Sequence, residues 1–145
     1  MKALIQRVKS ASVTIDGLLY SKIGQGLLVF LGVEKGDDKL NAEKLADKLS
    51  KLRIFEDENE KMNHSILDIE GEMLIVSQFT LCGDCKKGTR PSFDKSAPPQ
   101  IANELYEYFI SQVKSFNIPV QTGIFGAMMD VELINDGPVT FMVEK

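Results

Sequence analysis

Residues able to do chemistry are sparse in this sequence, and three stretches hold most of them. The first runs from Met73 to Leu81, apolar at its start and polar at Ser77, Gln78 and Thr80. Read as a strand, its period of two sets Leu74, Val76, Gln78 and Thr80 on one face and Ser77 and Phe79 on the other. An amide and a hydroxyl that continue an apolar row need partners or a ligand, because an unpaired buried polar group costs about 1–3 kcal/mol. The stretch is therefore either a satisfied strand end or a pocket floor offering an amide, a hydroxyl and backbone N–H groups. The second stretch is Asn135-Asp136-Gly137-Pro138-Val139-Thr140. It reads as a hairpin turn leading into a strand that starts at Pro138, where a missing N–H is tolerated. Its sharper reading is a cis Gly-Pro bond, which would aim two carbonyl groups in a way a trans bond cannot. The third is Gly123-Ile124-Phe125-Gly126-Ala127-Met128-Met129. Small residues flanking an aromatic let a flat ligand approach the backbone, but plain strand packing is the simpler reading of the pattern alone.

The usual catalytic equipment is missing. The one histidine, His64, sits in a polar stretch and reads as a surface residue. Nothing in the sequence brings it to a nucleophile. There is no phosphate-cradling glycine loop and no cluster with metal-ligand spacing, so neither a metal nor a cofactor is expected. Cys82-Gly83-Asp84-Cys85 has the spacing of a redox pair. It follows a strand and leads into a poor helix start, whereas an activated thiol wants a helix N-terminus. The spacing reads as fortuitous, with thiol redox and metal binding as the sharper alternatives.

The elements that must position these stretches follow from the rest of the 145 residues. Formal charge is −4, with 43% hydrophobic and 26% charged residues, an ordinary globular composition. The length fits a single domain over 1–145. No apolar run approaches the ~18 residues of a membrane span. The N-terminus lacks the long apolar stretch of a signal peptide, and two cysteines make no disulfide framework. A cytoplasmic protein without membrane or DNA partners is expected. An acidic chain is not built to grip nucleic acid chiefly by neutralising phosphates. Any such contact must be local. The richest basic window, Cys82 to Ser96, holds Lys86, Lys87, Arg90 and Lys95 against Asp84 and Asp94. It is either a solvated loop or a small phosphate-facing patch.

Alternation over Ala11–Ile15 predicts a half-buried strand, Asp16-Gly17 a tight turn, and Leu18–Ile23 the return strand. The apolar run Leu27–Val33 predicts a strand buried on both faces. Ala42, Leu45, Ala46, Leu49 and Leu52 recur with helical spacing, which predicts a helix from about Asp38 to Lys51 capped by Asp37 or Asp38. Arg53–Phe55 reads as a short strand and Glu56–Asn63 as a solvated loop. A second helix should start near Pro98-Pro99 and end at Lys114 or Ser115, with Ile101, Leu105, Tyr108, Phe109 and Val113 on its apolar face. Strands at Val131–Ile134 and Val139–Val143 complete an α+β domain with two main helices and a curved antiparallel or mixed sheet.

Together, Ser77-Gln78-Phe79-Thr80-Leu81 and Asn135-Asp136-Gly137-Pro138-Val139-Thr140 resemble the two signatures of the D-aminoacyl-tRNA deacylase family. Ile5-Gln6-Arg7-Val8 with Ala11-Ser12-Val13, Arg90-Pro91-Ser92-Phe93 and the Gly123–Ala127 stretch add to the likeness, which covers essentially the whole chain in order. Cys82 and Cys85 depart from the family pattern and leave the role of their loop open. The resemblance implies a barrel-like α+β fold and a homodimer with sites at its interface. It implies hydrolysis of the ester joining a D-amino acid, or glycine, to the 3′ end of tRNA. Gly137 and Pro138 would be a cis pair inserted into the partner's pocket, crowding the side where an L side chain must point. Ser77, Gln78 and Thr80 would be the catalytic segment, its N–H groups facing the developing oxyanion. Phe79 backbone and the Gly137 carbonyl would hold the α-ammonium. Gly123, Phe125, Gly126, Ala127 and Met129 would receive the terminal adenine, and Arg7 would brace the Gly-Pro loop. Thr80 as nucleophile competes with assistance from the adenosine 2′-OH, the latter favoured because no base neighbours Thr80 in sequence. The rival functions are a catalytically silent tRNA-end-binding module of the same fold and a small thiol redox protein.

Overall fold

The computed structural model describes residues 1–145 and is organised around one long strand. Strand β1 spans Lys2–Ile15, well before the Ala11 start that alternation suggests. Its N-terminal half is equally alternating in burial, but Gln6 and Arg7 hide the pattern in the sequence, because Arg7 is a buried cation. The Asp16-Gly17 turn leads into β2 (Leu18–Ile23), and β3 covers Gly26–Gly32. β1 pairs antiparallel with β2 through its second half and with β3 through its first. β6 (Glu72–Ser77) adds parallel to β3, and the three-residue β7 (Val120–Thr122) adds parallel to β6. On the free side of β1 lies β8, Asp130–Glu144, antiparallel along nearly the whole strand. The sheet is therefore mixed, strongly bent and nearly closed. A two-stranded ribbon of β4 (Phe55–Glu56) and β5 (Met62–His64) stands apart and shortens the polar loop expected there.

Helix α1 (Lys39–Lys51) starts at an Asp38 cap whose carboxylate accepts from the Asn41 N–H while Asn41 answers the Asp38 N–H. Helix α2 (Pro99–Ser115) begins with proline in its first turn. Its buried stripe is Ala102, Leu105, Tyr106, Phe109, Ile110 and Val113. Ile101 is exposed and Tyr108 half-buried, so the observed stripe is rotated from the expected one: packing against the sheet takes the small Ala102 and leaves the larger Ile101 outside. Both helices cover one face of the sheet, over Ala3, Ile5, Leu27, Val29, Leu31, Met73 and Ile75. The other face carries a second core of Val8, Ala11, Val13, Ile23, Leu28, Leu74 and Val76. Alternate residues of β3 and β6 thus serve opposite cores, which is why both read as unbroken apolar runs. A fully buried leucine such as Leu45 or Leu49 contributes about 1.5–3 kcal/mol by its burial.

Two expectations fail where the chain leaves regular pairing. The strand predicted to Leu81 ends at Ser77, opposite Leu31, and Phe79–Cys82 form a single 3₁₀ turn. Gly32 ends β3 at that level, and the turn folds over it: a Cβ there would lie 3.1–3.2 Å from Cys82 Sγ, Leu81 Cβ and the Gln78 carbonyl. Gln78 and Thr80 consequently do not continue the row of Leu74 and Val76. Nor is Asn135–Pro138 a hairpin turn between two strands. It is a bulge inside β8, since Gln6 pairs Thr140 while Val8 already pairs Asn135. The Gly137–Pro138 bond within it is cis.

Candidate active site

The 3₁₀ turn forms one side of a cavity of about 520 Å³. The Gln78 N–H donates to the Leu31 carbonyl at 2.8 Å, which fixes where β6 ends. Within the turn, Leu81 and Gly83 N–H groups donate to the carbonyls of Gln78 and Thr80. The N–H groups of Phe79 and Thr80, first in the turn, have no carbonyl partner inside it. The Gln78 amide donates to the Thr80 hydroxyl, so these two polar side chains satisfy each other. Ser77, Gln78 and Phe79 line the cavity, whereas Thr80, exposed and hydrogen-bonded to Gln78, does not.

The facing wall is the loop after β7. It is not a strand, although strand packing was one reading of its sequence. Phe125, Gly126, Ala127, Met128 and Met129 line the cavity from here. Gly126 holds φ at +75°, a conformation that favours glycine, while a Cβ there would meet nothing. Phe125 packs against Tyr106 of α2 with ring centroids 6.0 Å apart. Gly123 lies under the wall: a Cβ would come 2.5 Å from Met129 Sδ, so its bareness makes room for that side chain. The third wall was not foreseen. Ser96, Ala97, Pro99 and Ala102 reach the cavity from the start of α2. Their small side chains read in sequence only as a helix start, and the face they turn to the cavity is set by how α2 lies across the sheet.

None of the 14 lining residues carries a carboxylate, imidazole, thiol or amine. His64 is on the β4–β5 ribbon. Cys82 is buried with its Sγ 3.5 Å from the Val33 carbonyl, and burial pushes its thiol pKa up. Cys85 is exposed, and both thiols are free. No three His, Cys, Asp or Glu side chains converge as metal ligands would.

Arg7, Gly137 and Pro138 are gathered elsewhere, along the β1–β8 seam and outside the cavity of their own chain. Arg7 is 4% exposed and donates through Nη1 to the Ile54 carbonyl at 2.8 Å and through Nε to the Asp136 carbonyl at 3.0 Å. Its Nη2 reaches Glu56 Oε1 at 3.4 Å. A Cβ on Gly137, whose φ is +135°, would lie 2.7 Å from Val139 Cγ2 and 3.1 Å from Arg7 Nη2. Asn135 closes the bulge, accepting from the Val139 N–H and donating to the Thr140 hydroxyl. The guanidinium thus sits directly beneath an exposed Gly137–Pro138 tip.

A near-closed mixed sheet, two helices on one face and an uncharged pocket beside a bare 3₁₀ turn define a single-site α+β fold. A solved structure described as a probable eukaryotic D-amino acid tRNA deacylase has the same fold, with a TM-score of 0.84 over 99% of this chain and 98% of that one, at 17% identity. The structure described as c-Myc DNA Unwinding Element Binding Protein superposes with a TM-score of 0.95, at 41% identity, covering 100% of this chain and 99% of that one. Residues 4–144 match the family described as D-Tyr-tRNA(Tyr) deacylase. The D-aminoacyl-tRNA deacylase of Geotalea daltonii is 60% identical over 99% of this chain and 96% of its own. That of Thermosipho africanus is 58% identical over 100% and 97%. The chain belongs to the D-aminoacyl-tRNA deacylase family and is an enzyme of that kind, a carboxylic ester hydrolase.

Proposed function

We propose that the cavity beside the 3₁₀ turn takes the terminal adenosine and ester of an aminoacyl-tRNA. In this reading the enzyme hydrolyses D-aminoacyl and glycyl esters and spares L-aminoacyl ones. The observation that carries the chemistry is the absence of any titratable side chain among the cavity's lining residues. General acid–base work by the pocket wall has no candidate there. An aminoacyl ester is already activated, so positioning is the main requirement. The substrate's own 2′-OH orients the attacking water, and the Phe79 N–H at the cavity wall faces the developing oxyanion. The Thr80 hydroxyl is engaged by Gln78 and has no base beside it, which favours a positioning role over attack. Adenine lies against Phe125, Gly126, Ala127 and Met129, with Gly123 beneath.

Discrimination is assigned to Gly137 and Pro138 of a second copy. The pair is exposed and borders no part of its own chain's cavity. Strand β8 carries exposed Ile134, Phe141 and Met142 on either side of the tip, and the cavity rim carries Met128 at 91% exposure. Two such apolar surfaces suit a homodimer in which each tip enters the other's pocket. Its carbonyls would stand where an L side chain must go, leaving space for hydrogen or a D side chain. Ester half-life on tRNA charged with D-tyrosine, L-tyrosine or glycine tests the whole reading. Loss of the D and glycyl esters with the L ester spared is expected. Equal loss of D and L would remove the filter, and no acceleration of any ester would leave a tRNA-end-binding module.

A further inference from the structure

Next to the cavity stands a hairpin whose charge the reaction does not use. Asp84 and Ser92 exchange backbone hydrogen bonds in both directions, at 2.7 and 3.0 Å, and close a loop between them. The loop carries Lys86, Lys87 and Arg90, all exposed and none in an ion pair. The neighbouring carboxylates are occupied at its base. Asp84 accepts from the Lys86 N–H at 2.9 Å and faces Lys95 at 3.9 Å. Asp94 accepts from the Ser92 hydroxyl at 2.9 Å. A groove of about 320 Å³ along this hairpin has seven lining residues, none of them hydrophobic.

The hairpin is tied to the cavity by an aromatic step. Phe93, just past its base, packs on Phe79 of the cavity wall with ring centroids 5.0 Å apart, and both rings are exposed, at 39% and 54%. From Phe93 to the tip at Gly88 is five residues, a reach of at most ~18 Å. Phosphates in a stacked strand follow one another every ~3.4 Å, so that reach spans about five of them. Exposed aromatic faces followed by unpaired cations are what a single strand leaving a pocket would meet.

We propose that the 84–92 hairpin is a backbone-binding arm for the RNA strand that leads into the cavity. Lys86, Lys87 and Arg90 neutralise phosphates upstream of the terminal adenosine, and Phe79 and Phe93 offer a stacking surface between. The proposal rests on the deacylase reading of the cavity. Three cations on single-stranded phosphates predict a salt slope of about −2 in log affinity. That is a KM rise of roughly 15-fold between 50 and 200 mM salt, shallow beside proteins that depend on phosphate contacts throughout.

The test compares wild type with the triple variant Lys86→Ala, Lys87→Ala, Arg90→Ala on two substrates, D-tyrosyl-tRNA and the D-tyrosyl ester of free adenosine. At 50 mM salt the variant should show a KM for the tRNA raised at least tenfold, an unchanged kcat and a lost salt slope. Its kinetics on the adenosine ester should match wild type, which also shows that the cavity is intact. Unchanged KM and slope on the tRNA would overturn the arm. An equal loss on both substrates would also overturn it, since the loop would then act through the pocket wall. A wild type inert on both substrates would instead refute the deacylase reading, and the arm with it.

Discussion

Replacing Arg7 by methionine should loosen both the fold and the proposed filter. Methionine keeps much of the volume and removes every donor. The Ile54 carbonyl loses its 2.8 Å partner in a spot where Ile54 is 4% exposed, so water does not replace it. The Asp136 carbonyl loses its 3.0 Å partner at a half-buried position that water can reach. An abandoned buried acceptor costs about 1–3 kcal/mol, and the second falls at the low end of that range. The contacts to Glu56 and Asp136 carboxylates, at 3.4 and 3.5 Å, face solvent and add little. The sum is about 2–4 kcal/mol, or a fall in Tm of roughly 5–15 °C at this chain length. The same loss frees the bulge that carries Gly137, so the ratio of D- to L-tyrosyl-tRNA hydrolysis should drop at least tenfold. Lysine keeps the charge but not the fork, and should recover about half the stability. Thermal unfolding at pH 7 and paired ester half-lives read both effects. A methionine variant that melts within 2 °C of wild type and keeps its D/L ratio would refute the bracing argument.

Three further outcomes are expected. Thr80→Ala should cost less than tenfold in kcat on D-tyrosyl-tRNA, since the hydroxyl has no base beside it; a loss above a thousandfold would restore the nucleophile. Ala127→Phe should fill the cavity wall, raising KM tenfold or more with Tm unchanged, and an unaltered KM would move the adenosine elsewhere. Tyr106 is buried with its hydroxyl donating to the Ile75 carbonyl at 2.8 Å, and desolvation holds its phenol pKa well above the ordinary value of 10. The phenol stays neutral in the fold while the unfolded chain ionises near 10, so its contribution is intact below that pH and is lost as pH rises beyond it. Urea unfolding at pH 9 to 11.5 should show a decline of at most ~1.4 kcal/mol per pH unit from this residue, and Tyr106→Phe should lack it. Equal slopes in both proteins would exclude Tyr106 as the source.

How much of this was legible beforehand depends on the distance over which each feature is decided. α1 was readable because its cap and apolar period are local, and β2 and β3 because turn and run are. Ser77–Thr80 and Gly123–Met129 stood out as stretches because polar or small residues interrupted apolar rows. No base neighbours Thr80 along the chain, but that the whole lining is uncharged is decided by which residues the fold brings there. What the two stretches form was another matter. Whether the chain after Ser77 continues as strand or tightens into a turn hangs on Gly32, 45 positions earlier, which leaves room for the turn. The apolar face of α2 hangs on which residues meet the sheet, and the small ones that build the third wall look unremarkable in sequence. Arg7 reads as a break in a strand pattern until Ile54 and Asp136, brought from 47 and 129 positions away, supply its acceptors. Side-chain period and turn chemistry are properties of neighbours along the chain. A pocket and a buried cation are properties of neighbours in space, and only closure of the sheet around β1 decides those.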